Sequence, residues 1–303
     1  MTEDDDEGSG KLWQMLVGTA LILAIAVVVL SFFGNLHPFG DSLAVFRAYI
    51  VGLVLVLAIA ASMLGLQVAA FWSILFAMCA GAPVLLAQVW PGPSGQVVLY
   101  QKNLRFDNYD LAGLEADMRA SGAVAVTLQE VSQPNLALLT ALQDRLPHQH
   151  VCPGTGVGGP AVLTSLTPIP GARICAEGLA AMRVMWRGTQ EEMPVWIVSV
   201  HLHWPWPFPQ AHQVDHLAPI LAGLEGPVLM AGDFNMVRWG ASVKRMAAAA
   251  GTRPAGPSPG TFVGFSTLPS LPIDHAFATS GGRITLRPAL GSDHMGLLTY
   301  LEP

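Results

Sequence analysis

Between Leu12 and Tyr100 the chain carries only two charged side chains, Asp41 and Arg47. This constrains the fold more than any other feature, because a water-soluble segment of that length needs a polar exterior. Leu12 to Phe33 is free of charge, and a helix rising about 1.5 Å per residue crosses a hydrocarbon layer of about 30 Å over such a run. A second uncharged stretch follows from Ala48 to Tyr100; its apolar part ends near Gln88 and suits two spans, with Gly65, Leu66 and Gln67 at the turn. The pattern predicts three transmembrane helices over 12–33, 45–65 and 68–89, behind an acidic tail over 1–11. Trp13, Trp72 and Trp90 fall near the ends of these helices, where interfacial aromatics collect. The acidic leader does not suit a cleaved signal peptide, and helices apolar on every side do not suit a soluble bundle.

Sidedness has less to stand on. Lys11 and Arg47 lie on opposite sides of the first span and cancel under the positive-inside rule. Three spans with a cytoplasmic N-terminus make a multi-pass cell-membrane protein whose larger part is extracytoplasmic. Cys79 falls in a predicted span, which leaves Cys152 and Cys175 as the only pair beyond it. In an exported domain such a pair suits a disulfide; two separate buried thiols fit the sequence equally well.

Charged residues make up 12% of the whole chain and hydrophobic ones 52%, about half the usual share of charge. Disorder is excluded by the same numbers. The deficit is local, since residues 101–303 hold 13 of the 15 basic and 15 of the 21 acidic side chains. A Pro- and Gly-rich linker over 91–96 separates the two parts. Short β-rich runs then alternate with helical patterns, and the strands read as 96–103, 123–130, 160–165, 194–202, 227–233, 273–278 and 295–301. Helical patterns fall near 110–121, 134–146, 210–223 and 240–249. Asn103, Glu130, His201, Asp233 and Asp274 stand at or near strand ends, which is how an α/β domain over 97–303 assembles a site above a sheet.

The motifs in order are KNLRFDN (102–108), LQEV (128–131), VSVHLHWP (198–205), AGDFN (231–235), PIDHAF (272–277) and GSDHMGLL (291–298). Singly each has a structural explanation. Together, in this order and spacing, they resemble the endonuclease/exonuclease/phosphatase superfamily, of deoxyribonuclease I-like fold. The resemblance implies a four-layer α/β sandwich of two packed β-sheets flanked by helices, and divalent-metal-dependent hydrolysis of a phosphoester.

Hydrolysing an anionic ester requires charge neutralisation and deprotonation of water. A hard cation, Mg²⁺ or Mn²⁺, meets the first need and prefers carboxylate and amide oxygens. Glu130 is the leading metal ligand, with Asn103 beside it and Asp293 completing the set. Asp233 and Asn235 stand two apart on an expected extended segment and so share a face. Asp233 orients the water or assists the metal; Asn235 holds a phosphate oxygen without adding charge. In the resemblance His294 is the general base, Asp274 its orienting carboxylate, and His201 the second histidine, which stabilises the transition state or protonates the leaving oxygen. His203 follows at strand spacing, and the sequence does not choose between His201 and His203. His203, His275, Trp204 and Trp206 are candidates for substrate contact. A binuclear zinc site built from His201, His203, Asp215 and His216 is the rival, but it leaves GDFN and SDH unexplained.

Binding duplex DNA needs several Lys or Arg contacts to phosphate. This part of the chain is nearly neutral and has no strong basic patch, its one local cluster being Arg238, Lys244 and Arg245. The loop HWPWPFPQ (203–210) instead interleaves aromatics with prolines, either as a rigid packed loop or as an apolar lip. N-terminal membrane helices followed by a short catalytic domain are similar to bacterial membrane proteins of the VanJ type. That likeness implies the lipid bilayer as partner and a lipid-linked or envelope phosphate as substrate. A tethered nuclease and an inactive scaffold are the alternatives.

Overall fold

The computed structural model describes residues 3–154, 156–188, 192–264 and 269–303. It contains two compact units, Met1–Leu86 with Trp239–Ala241, and Ala87–Arg238 with Ser242–Pro303.

The first unit is helical. Helix α1 (Glu3–Leu30) begins well before the expected span. Its Gly8–Leu30 portion, and α4 (Gln67–Val89), are each 23 residues long and apolar enough to cross a membrane. The expected helix over 45–65 is instead broken at Phe46 into α2 (Phe39–Val45) and α3 (Arg47–Met63), bent by 68°. Arg47 gives a reason for the break. Its buried guanidinium donates from Nε to Ser31 Oγ at 2.8 Å and from Nη2 to the Ser31 carbonyl at 2.5 Å, and lies 3.8 Å above the Phe32 ring. An unpartnered charge in apolar surroundings costs several kcal/mol, so the chain turns to bring Arg47 to the end of α1. Gly65 (φ +85) ends α3, and its neighbour Leu66 donates to the Ala61 carbonyl, a C-terminal cap that favours glycine. Leu21, Ala24, Val28, Val54, Ala61, Ala70 and Ala77 pack inside, whereas Ile22, Val56, Phe71 and Leu85 are exposed.

The second unit is α/β. In chain order it runs β1 (Val97–Asn103), α5 (Ala112–Ala120), β2 (Ala125–Val131), α6 (Leu136–Ala141), β3 (His148–Val151), β4 (Gly159–Thr164), β5 (Thr167–Ala176), β6 (Leu179–Arg187), β7 (Glu192–His201), α7 (Gln210–Ala222), β8 (Val228–Asp233), α8 (Ala241–Ala249), β9 (Arg253–Gly256), β10 (Asp274–Ala278), β11 (Gly282–Arg287) and β12 (Gly296–Leu301). The strands follow the order β3-β4-β2-β1-β12-β11-β9-β10-β8-β7-β6-β5, with β9 joining the two halves. Sequence patterning misses β3, β5, β6, β9 and β11. Two prolines and a glycine disguise β5, and they are tolerated because β5 is an edge strand.

Period-two alternation splits the strand residues between two cores. Leu99, Ala125 and Val162 meet Met182, Ile197, Leu229 and Ala276 from the other half in one buried cluster. Tyr100, Val126, Leu128 and Leu163 point the other way and pack on Leu114 and Met118 of α5 and Leu138 and Leu139 of α6. Burying these side chains, at about 1.5–3 kcal/mol for each large one, fixes the strand registers. Those registers in turn bring the site residues together. Asn103 lies opposite Gln129, His201 opposite Asp233, and Asp233 opposite Asp274.

Candidate active site

One cavity of about 750 Å³ receives Glu130, His201, His203, Trp204, Asp233, Asn235, Asp293 and His294. Its polar floor comes from strand ends. Asn103 closes β1, and its Nδ2 donates to Glu130 Oε1 and to Asp233 Oδ2, each at 3.0 Å. Its Oδ1 accepts from the Arg105 N–H at 2.9 Å. In this arrangement Asn103 organises two carboxylates, whereas the sequence reading made it a metal ligand. Glu130 has φ +57, an uncommon backbone state for a residue with a side chain. Pairing of β2 with β4 shifts register between Leu128 and Val131, and this bulge turns Glu130 toward the cavity, where Oε2 accepts from Phe106 N–H at 2.9 Å. Gly158 lies against the same kink (φ +94), and a Cβ there would meet the Val131 carbonyl oxygen at 2.5 Å.

His294 Nδ1 is 2.8 Å from Asp274 Oδ2, and Nε2 is 3.6 Å from Asp233 Oδ2. Both carboxylates and the imidazole are almost fully buried. Burial lowers the proton affinity of His294, but the charges of Asp274 and Asp233 outweigh it and raise its pKa to about 10. Burial pushes Asp233 up to about 7, against the opposing influence of His294. His201 Nε2 stands 3.9 Å from Glu130 Oε1 and 3.8 Å from Asp233 Oδ2. Desolvation, followed by the charge of His294, lowers His201 to about 4, so it is neutral at pH 7.

The donor chemistry fits a hard divalent cation. Burial, with a contribution from Asp293, raises the Glu130 carboxyl above its ordinary value. Carboxylates collected in a partly desolvated cavity with no Lys or Arg among its described lining residues call for a counter-cation. Glu130 and Asp293 would hold it. Among the described residues Asp233, Asp274 and His294 also form a metal-capable group, but Asp274 Oδ2 and His294 Nδ1 already satisfy each other.

Several expected placements differ. Asn235 is not on an extended segment: β8 ends at Asp233 and Asn235 has φ +47. Its backbone N–H donates to Asp233 Oδ1 at 2.8 Å and its Nδ2 to the Leu202 carbonyl at 2.8 Å. His203 does not share a face with His201, since β7 ends at His201 and His203 Nε2 reaches Glu177 Oε1 at 2.9 Å on the rim. His275 is not placed to contact substrate. It is fully buried against Phe234 and Phe277, with Nε2 2.8 Å from the Met236 carbonyl, and it does not line the cavity. Trp204 and Phe208 line the cavity, whereas Trp206 is exposed outside it. The pieces of the zinc rival lie apart: Asp215 pairs with Arg245 at 2.6 Å and His216 Nδ1 meets the His212 carbonyl. The basic cluster is not an open patch either, because Arg238 is half-buried and its Nη2 donates to the Ala255 carbonyl. Cys152 and Cys175 are joined in a disulfide with Cα atoms 5.5 Å apart.

The sequence reading missed the residues that support this floor. Gln101 Nε2 donates to Asp274 Oδ1 at 2.8 Å and to Gln129 Oε1 at 2.9 Å, and Gln129 Nε2 donates to Ser199 Oγ. Ser292 Oγ donates to the Asn103 carbonyl and accepts from the His294 N–H. Phe262 packs 5.0 Å from the His294 ring and 5.6 Å, edge to face, from Trp204. The only sequence signal for Gln101 and Gln129 was their place beside Asn103 and Glu130.

The fold is similar to that of truncated TDP2 from Caenorhabditis elegans, at 16% identity and a TM-score of 0.51 over 67% of this chain and 96% of that one. It is also similar to D. rerio TDP2 complexed with single strand DNA product, at 17% identity and 0.51 over 67% and 98%. Sphingomyelinase C from Streptomyces griseocarneus matches at 16% identity and 0.47, over 69% and 100%. At these identities the likeness to the two TDP2 structures is one of fold. No curated protein matches the chain. Residues 100–294 match the Endonuclease/Exonuclease/phosphatase family, so the chain belongs to that family of divalent-metal-dependent enzymes that hydrolyse phosphoester bonds.

Proposed function

We propose that this protein is a membrane-anchored phosphoester hydrolase acting on a lipid-linked or envelope phosphate. The observation that carries the reading is the two-sided cavity. Its floor holds Glu130, His201, Asp233, Asp293 and His294, and its wall holds Val157, Trp204, Phe208 and Phe262. A phosphate bearing an apolar chain suits both sides, whereas a polyanion finds no Lys or Arg among the described lining residues.

In this reading α1, α4 and the bent pair α2–α3 are three membrane spans, the larger unit is a four-layer α/β sandwich, and that unit lies outside the cytoplasm. Apolar side chains exposed along α1 and α4 support the first point, since such a surface belongs in lipid. The arrangement similar to VanJ-type proteins supports the last. A C-terminal alkaline phosphatase fusion tests sidedness, and an inactive fusion in intact cells counts against it.

Asp274 holds His294 Nδ1 at 2.8 Å, fixing the tautomer and leaving Nε2 to take a proton from the attacking water. Asp233 orients that water beside Nε2. Neutral His201 donates its N–H to the phosphoryl or leaving oxygen. Glu130 and Asp293 would hold a divalent cation, Mg²⁺ or Mn²⁺, which would supply Lewis-acid polarisation of the phosphoryl group. Asp293 is one of the carboxylates that raise His294, after Asp274 and Asp233, so a cation held there would make the imidazole less basic.

The full chain in detergent should hydrolyse bis-p-nitrophenyl phosphate with Mg²⁺ or Mn²⁺, and undecaprenyl pyrophosphate or phospholipid vesicles faster than plasmid DNA. Trp204→Ala and Phe208→Ala should raise KM for chain-bearing substrates about tenfold and leave the small ester unaffected. Faster turnover of DNA would favour the tethered nuclease. Folded protein inactive with every metal would leave only a scaffold.

A further inference from the structure

Lys102 occupies an unusual place for a lysine. It follows Gln101 on β1, so its side chain points to the helix-covered face, and it is fully buried. Its Nζ donates to the main-chain carbonyls of Ala289 at 2.6 Å, His294 at 2.5 Å and Pro288 at 3.3 Å. An ammonium has three donors and no acceptor, so the cage uses all of them. The three carbonyls belong to the segment that delivers Asp293 and His294 to the cavity. This segment has few bonds of its own and passes through two left-handed residues, Leu290 (φ +50) and Gly291 (φ +81). Its other ties are Asn108 Nδ2 to the Leu290 carbonyl at 3.0 Å and Ser292 Oγ to the Asn103 carbonyl at 2.8 Å, with the Val263 N–H on the Asp293 carbonyl at 2.8 Å and a bridge between Phe262 and His294 beyond them.

We propose that Lys102 is a positioning residue for the hydrolytic site, its buried ammonium clamping the Pro288–His294 main chain so that His294 Nε2 is held beside Asp233. Three successive residues at the end of β1 then place three parts of the site. Gln101 holds the Asp274 carboxylate, Lys102 the His294 backbone, and Asn103 the Glu130 and Asp233 carboxylates. The alternation of a strand lets the odd residues reach between the halves while the even one reaches behind them. A point charge on a flexible stem suits three convergent carbonyls better than the planar fork of arginine.

This inference rests on the hydrolase reading with His294 as base. The test uses the full chain in detergent with Lys102→Arg, Lys102→Gln and Lys102→Met. Two quantities are read: hydrogen exchange over 288–295, and kcat and KM for bis-p-nitrophenyl phosphate. Exchange in that segment should rise from Arg to Gln to Met as donors are lost, with the rest of the domain unchanged. Turnover should fall in the same order, by about 100-fold for Met, since a misplacement of about 1 Å costs that much, while KM stays within about twofold. If Lys102→Met does not fold, Lys102→Gln decides the matter. A folded Gln or Met variant with native exchange over 288–295 and native turnover overturns the proposal. If the wild type hydrolyses nothing, the hydrolase reading fails and exchange alone decides whether the clamp exists.

Discussion

Replacing Asp274 with Asn probes the most buried charge pair of the site. In the folded, ion-free protein His294 has a pKa near 10 against an ordinary 6.5, an interval worth roughly 5 kcal/mol at about 1.4 kcal/mol per pH unit. Asp274 is the largest contributor among the groups that raise it, ahead of Asp233. Breaking a buried pair typically costs about 3–5 kcal/mol, and about 3 kcal/mol is assigned here because Asp233 remains. Asn cannot repeat the contacts. One carboxylate oxygen faces His294 Nδ1 and the other faces Gln101 Nε2, so an amide sets donor against donor on one side unless His294 is neutral and unprotonated at Nδ1.

The sign follows from linkage. A folded-state pKa raised above the unfolded value gives stability that is fully present below pH 6.5 and is lost as pH rises through about 10. Chelated wild type and Asp274→Asn, both full-length in detergent, should therefore differ most in apparent Tm near pH 6.5, by about 6–12 °C for a domain of this size. The gap should narrow steadily toward pH 10. A Tm difference that stays constant across that range would refute the assigned coupling of His294 to Asp274.

Three other outcomes are expected. Glu130→Gln should move the Mg²⁺ concentration for half-maximal activity up by at least about tenfold, roughly 1.4 kcal/mol; an unchanged midpoint would remove Glu130 from the metal site. His201→Ala should lower kcat by about 10²–10³ with little change in KM, as loss of a transition-state donor does, whereas His203→Ala should leave kcat within about threefold. Replacing both Cys152 and Cys175 with Ser should cost about 3 kcal/mol, the loop-closure value for a sequence separation of 23, seen as a lower apparent Tm in thermal unfolding of the full chain.

Sequence alone determined the elements whose signal is local. Charge depletion marks the helices near the N-terminus because a bilayer-compatible surface needs apolar residues on every side. The strands carrying Asn103, Glu130, His201 and Asp233 declare themselves by β-rich runs between turns. Motif order marks the chemistry through its resemblance to a known family, and hydrolysis of an anionic ester gives those residue types a physical use. Strand β6 stayed hidden because its nine residues include no clean alternation, and β5 because its prolines read as loop. The break at Phe46 stayed hidden because Arg47 finds its partners, Ser31 and Phe32, sixteen and fifteen residues back.

Tertiary structure decided what each polar group faces. A strand pattern places His201 and His203 together, yet β7 ends between them, and one meets Glu130 and Asp233 while the other meets Glu177. His275 follows Asp274 directly and is a candidate for substrate contact by sequence, but alternation on a strand buried on both faces sends it into an aromatic core. Lys102 had no signal at all, because a lysine next to a catalytic motif looks like any solvated cation until the carbonyls of residues 288–294 close around it. Composition and spacing report on groups near in sequence. Partners nearly 200 residues away are fixed only when two buried cores set the strand registers.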